Sequence, residues 1–165
     1  MVNEIIKSRK SIRSYVEGEK LEKDDIKTIL EAAMLAPSAM GKRTWEFIVI
    51  TNRDKLDEIM AIHPHAQMLK TASAAIIVLG LGDMNSCVPQ DCAAATENIL
   101  LQSTDLGLGT CWCAVYPDEN RVEDFRKTFD LDANKTPFNV IALGVPNEDL
   151  GSRGYYEENK ITWIE

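Results

Sequence analysis

Basic residues are scarce in this chain: 18 Lys and Arg stand against 26 Asp and Glu in 165 residues, a formal charge of -8. Nucleic acid and anionic membrane surfaces both call for a broad basic face, so the deficit argues against either as a partner. Long apolar runs are missing as well. No segment approaches the roughly 20 apolar residues of a membrane span, and the start, "MVNEIIKSRK", holds no signal-type stretch. The expected setting is the cytoplasm.

Histidine and cysteine are also few. His63 and His65 flank Pro64 with no acid at ligand spacing, a pattern that reads as a capped turn before it reads as a metal site. The four cysteines fall as Cys87 with Cys92 and Cys111 with Cys113, and neither pair has C-x-x-C spacing. On a strand, Cys111 and Cys113 share one face with Trp112 opposite, so buried, reduced thiols and no metal are expected. Glycine-rich nucleotide motifs are absent too: there is no G-x-G-x-x-G after a strand and no Walker A sequence. Nor does a nucleophile elbow or an acid-base carboxylate pair stand out.

What is present is one alternation of helical and strand patterns, and the length suits a single domain over residues 1–165. Helical spacing runs over residues 22–36, 53–62 and 118–129. A fourth helix, residues 91–106, has Asp91 as N-cap and Gly107 at its end; its many alanines suit a central helix or a subunit contact. Strands are expected at 45–51, 73–81, 109–116 and 138–144, and alternation returns at 160–164 as a detached terminal strand. The pattern describes a sheet wrapped in helices, with parallel and mixed pairing both open.

Four stretches carry candidate chemistry. "SRKSIRSY" gathers Arg9, Lys10 and Arg13 around Ser11 with no neighbouring acid; as a helical turn it puts Arg9 and Arg13 on one face, suited to a phosphate dianion. Taken alone it also reads as a solvated basic turn. "APSAMGKRTWEF" is a helix-to-strand loop rich in exposed backbone, and "LGLGTCWCAVYP" leads two glycines into a strand edge. The fourth is Arg153, between glycines in the tail.

In this order, the stretches resemble the nitroreductase family of FMN-dependent oxidoreductases in its short form. "SRKSIRSY" is similar to the family's R-R-S-x-R, "APSAMGKRTWEF" to P-S-x-x-N-x-Q-P-W-x-F, and "ENILLQSTDLGLGTCW" to E-N-x-x-L-x-A-x-x-L-G-L-G-x-x-W. The resemblance implies an α+β fold with a central mixed β-sheet flanked by helices, and a homodimer that exchanges terminal segments. It implies that Arg9, Ser11 and Arg13, with Lys10 and Arg153, hold the FMN phosphate. Pro37, Ser38 and Ala39 would lie along the flavin. Trp112, Cys113, Ala114 and Val115 would face its reactive edge, with the amide of Ala114 or Val115 donating to N5. NADH or NADPH would deliver hydride to N5, and a small oxidised acceptor, a nitroaromatic, quinone or enone, would then take the electrons.

Two departures stand out. Gly41, Arg43 and Thr44 replace the family's Asn, Gln and Pro, so Gly41 offers backbone alone and Arg43 puts a cation near the flavin. The short connection "GDMNSCVPQ" leaves no room for a covering helix, which implies an open pocket. The rival readings are a non-catalytic flavin-binding or flavin-handling protein, a cysteine-based metal or redox-sensing module, and a structural interaction domain.

Overall fold

The computed structural model describes residues 1–151 and 154–165. Five helices and four strands follow in chain order: α1 (Glu4–Ser8), α2 (Lys23–Met34), β1 (Trp45–Ile50), α3 (Arg53–Ile62), β2 (Ala74–Leu81), α4 (Val88–Asp105), β3 (Gly109–Ala114), α5 (Glu119–Phe129) and β4 (Lys135–Gly144).

Local chemistry sets most of these boundaries. The side chains of Asn52 and Asp118 accept backbone N–H groups of Lys55 and Arg121 at 3.0 Å each, capping α3 and α5. Asp130 closes α5 in the left-handed conformation, φ 48°. Helix α4 starts three residues before its expected first residue, because Pro89 suits the first turn and Cys87 takes the cap position. Asp91 is therefore not the N-cap; it sits inside the first turn.

The strands pair in the order β1-β2-β4-β3, each neighbour antiparallel. Among the described residues of this α+β fold, parallel pairing is confined to one bridge, between Ser11 and Thr110. Central strands β2 and β4 are buried along nearly their whole length, which accounts for their continuous apolar runs. Each face of the sheet closes one core. Ile77, Val140, Cys111 and Cys113 pack with Leu56, Ile59 and Phe125 from α3 and α5. Ile76, Val78, Ile141 and Leu143 pack with Ile29 of α2 and Ala95 and Ile99 of α4, beside half-buried Trp112.

The alternation at 160–164 does not form a strand with any described residue of the chain. A 3₁₀ turn, Glu158–Lys160, is followed by extended backbone in which Trp163 is 76% and Ile164 95% exposed. Among the described residues no helix is long and apolar enough to cross a membrane.

Candidate functional site

The basic segment is not the helical turn its spacing suggests. Arg9 leaves α1 at ψ 126°, and Ser11 then runs beside Thr110 on the outer edge of β3. Ile12 explains the choice: extended backbone sends its side chain inward, 4% exposed and close against Gly109. The alternation leaves Arg9, Ser11 and Arg13 on the opposite side, so they still share a face, now by the period of a strand. Ile12 donates its N–H to Thr110 O at 2.8 Å, and the buried Tyr15 hydroxyl donates to Ile12 O at 2.7 Å. Burial pushes the Tyr15 phenol far above its usual range.

The chain shows no acid beside these cations, but the fold supplies three. Lys10 Nζ pairs with Asp149 at 3.2 Å and donates to Gly151 O at 3.0 Å. The Gly151 amide first, and Lys10 second, hold the Asp149 carboxyl below its usual range. Glu148 accepts the backbone N–H groups of Arg13 and Ser14. Arg9 lies 3.9 Å from Glu97, while exposed Arg13 reaches, among the described residues, no more than the Ser11 carbonyl, at 3.5 Å. The two arginines are the cations of the cluster held most loosely.

The ladder of β3 decides which amides face outward. Val115 donates to Phe138 O at 3.1 Å, so by antiparallel parity Cys111, Cys113 and Val115 turn their N–H groups to β4. Those of Thr110, Trp112 and Ala114 turn to the outer edge. The Ala114 carbonyl points outward as well, where it accepts from Arg121 Nη1 at 2.9 Å and His63 Nε2 at 3.0 Å. His63 Nδ1 accepts the His65 N–H at 3.3 Å, which places the ring proton on Nε2. His63 is thus the capped turn its spacing suggests, and it is also a buried donor to β3. Burial, and then the Arg121 charge, lower its pKa.

The second group of candidate residues lies elsewhere. Residues 37–44 lead into β1, the edge of the sheet opposite β3, three strand spacings or about 14 Å away. A 3₁₀ turn at Ala39–Gly41 shapes the loop, and Met40 and Arg43 both adopt φ 53°. Ser38 Oγ accepts the Arg43 N–H at 2.9 Å. Arg43 borders a hollow of about 520 Å³ with Leu30, Met34, Trp45 and Phe47. One chain therefore brings Arg9, Ser11, Arg13, Trp112 and Ala114 together but keeps Pro37, Ser38, Ala39, Gly41 and Arg43 apart from them. Arg153 lies outside the described residues.

Cys111 and Cys113 belong to β3 but turn into the core on one face of the sheet. Cys92, Cys111 and Cys113 are buried free thiols, and Cys87 is an exposed one. Burial pushes Cys92 up to about 12, with Asp91 adding to the rise, so it stays protonated near neutrality. Cys113 is pushed up by the neighbouring Cys111 thiol and by burial. Among the described residues no three His, Cys, Asp or Glu side chains gather as a metal set.

Three side chains at these places escape a reading by motif. Arg121 follows a helix cap and carries no local signal. Glu148 acts across 135 positions of sequence. Asp91 carries a signal of sorts, a lone acid on the small-residue face of α4, but the pattern looks like a cap.

A sequence profile of the Nitroreductase family matches residues 6–76 and 61–145. A provisionally named NADH dehydrogenase/NAD(P)H nitroreductase of Methanothermobacter thermautotrophicus is 44% identical over 163 residues, 97% of this chain and 85% of that protein. A crystal structure of the same provisional name from Bacteroides thetaiotaomicron superposes with TM-score 0.93 at 40% identity, covering 99% of this chain and 98% of the other. A nitroreductase with bound FMN from Bacteroides fragilis gives TM-score 0.80 at 28% identity, with 98% and 97% covered. The chain belongs to the nitroreductase family.

Proposed function

We propose that this protein is an FMN-dependent oxidoreductase that takes hydride from NADH or NADPH and reduces a small oxidised acceptor such as a nitroaromatic, quinone or enone. One observation carries the reading: the Ser11–Thr110 bridge lays the arginine segment along the same outer edge on which the Ala114 amide faces out. Four residues of strand separate Thr110 from Ala114, about 13 Å, a length comparable with FMN from phosphate to ring. The solved relative with bound FMN supports the same choice of cofactor.

In this reading Arg9 and Arg13 clamp the phosphate through paired charged hydrogen bonds, and the Ser11 hydroxyl donates between them. Lys10, tied to Asp149, steadies the segment from behind. Ala114, not Val115, offers its amide to flavin N5, since the Val115 N–H is spent on Phe138. Trp112 forms part of the apolar wall beside the ring. Bound flavin supplies the hydride chemistry, which is why no acid-base side chain is required.

A second copy of the chain completes the site. The loop at 37–44 lies on the wrong edge to reach the flavin of its own chain, so the Pro37, Ser38, Ala39, Gly41 and Arg43 contacts come from a homodimer partner. Exposed Trp163 and Ile164, which form no ladder with any described residue of their own chain, suit burial on that partner.

Titration calorimetry of apoprotein with FMN and with riboflavin tests the proposal. Tight FMN binding with much weaker riboflavin binding is expected, and equal or absent binding of both would overturn it.

A further inference from the structure

Asp91 is a buried carboxyl side chain held by hydrogen bonds alone among the described residues. It is 5% exposed, and among the described residues no Lys, Arg or His forms an ion pair with it. Burying a carboxylate this way is costly unless hydrogen bonds compensate. The compensation here comes from two points of one loop: Oδ1 accepts the Ala39 N–H at 2.9 Å, and Oδ2 accepts the Thr44 hydroxyl at 2.8 Å. The first turn of α4 lends further support through the helix dipole.

Between those two points the backbone takes a conformation that side chains resist. Met40 and Arg43 lie at φ 53° and Gly41 at φ 65°. Left-handed backbone is disfavoured for residues with a Cβ and persists where surrounding contacts impose it. The other contacts inside the loop are few: Lys42 N to Ala39 O at 3.1 Å, Gly41 N to Ser38 O at 3.0 Å, and Arg43 N to Ser38 Oγ. None of them ties residues 38–43 to the body of the protein. At the end of the loop the Thr44 carbonyl accepts the Leu81 N–H of β2 at 3.0 Å; at its start the tie is Asp91, on a helix packed against the sheet through Cys92, Ala95 and Ile99.

We infer that Asp91 is a positioning residue, which clamps residues 39–44 in the strained form that presents Ser38, Ala39 and Arg43 to the flavin. This rests on the proposed FMN site, but the clamp itself is measurable without flavin. An aspartate is not needed for its charge: an asparagine accepts from the Ala39 N–H and donates to Thr44 Oγ through its amide. Geometry and charge therefore separate in one pair of variants.

The experiment compares wild type, Asp91→Asn, Asp91→Ala and the milder Thr44→Val. Hydrogen exchange of residues 38–44 is read in flavin-free protein, FMN affinity by titration, and folding by thermal midpoint. Asp91→Ala is expected to lose exchange protection in 38–44 and to weaken FMN binding about tenfold, the scale of one hydrogen bond to a charged group. Thr44→Val is expected to fall between, and Asp91→Asn to stay near wild type in both. The inference is overturned if Asp91→Ala, or Thr44→Val where the alanine variant fails to fold, exchanges and binds as wild type does. It is equally overturned if Asp91→Asn is as impaired as Asp91→Ala. Should wild type bind no FMN, the function proposed above fails, and the exchange data still decide the clamp.

Discussion

Arg121, in the first turn of α5, donates to the outward carbonyl of Ala114 at 2.9 Å, and its guanidinium pairs with Asp118 at 3.2 Å. His63 brings a second donor to the same oxygen. The end of β3 is thereby held by two side chains from two helix boundaries, next to the amide assigned to the flavin. Arg121→Ala is expected to cost about 1–2 kcal/mol, since a charged hydrogen bond at a mostly buried side chain is lost. Urea unfolding midpoints at constant slope measure it.

His63 adds a pH dependence. Its pKa is lowered in the folded state by burial and then by Arg121, so below the ordinary value of 6.5 the unfolded chain binds the proton more readily. Stability attached to His63 is accordingly full above about pH 6.5 and declines as pH falls through that value. A His63→Gln variant is expected to lose less stability than wild type between pH 7.5 and pH 5.5, an interval chosen to bracket about 6.5. Identical pH slopes in the two proteins would remove the assignment.

Gly109 is the place where the arginine segment meets β3. A Cβ there would lie 2.9 Å from the side chain of Ile12, too close unless the segment moves. Gly109→Ala should cost about 1–3 kcal/mol through overpacking and weaken FMN binding as well. Tyr15→Phe, which takes one hydrogen bond from the Ile12 carbonyl, should cost about 1 kcal/mol.

Arg13→Ala and Arg9→Ala are expected to weaken FMN while leaving riboflavin affinity nearly unchanged, because in the proposed site both side chains hold the phosphate. Parallel losses for both ligands would move these side chains away from the phosphate.

Arg43→Gln should make the flavin midpoint potential more negative, by roughly 30 mV for each 1.4 kcal/mol of lost stabilisation in a two-electron couple. An unchanged potential would take Arg43 out of the electronics of the ring.

Much of the architecture was legible because its signals are local. The helical spacing over 53–62 and 118–129 marks α3 and α5, and the apolar runs at 73–81 and 138–144 mark the two central strands. The stretches of the candidate site stand out in the sequence, but their geometry does not. Whether 9–13 coils or extends depends on the contact of Ile12 with Gly109, a hundred residues on. The acids at Lys10 and at the Arg13 backbone are Asp149 and Glu148, 139 and 135 positions away. The amide facing outward is set by where the Val115–Phe138 hydrogen bond falls, which strand propensity does not encode. Alternation at 160–164 is a true feature of the tail, but no strand of its own chain pairs with it.

Hydride transfer through bound FMN is decided by anaerobic visible absorption. Protein loaded with FMN should show the oxidised flavin spectrum, bleach on addition of NADH or NADPH, and regain colour when a quinone or nitroaromatic is added. A bound flavin that stays oxidised with both nicotinamides would contradict the account and leave a flavin-binding protein in its place.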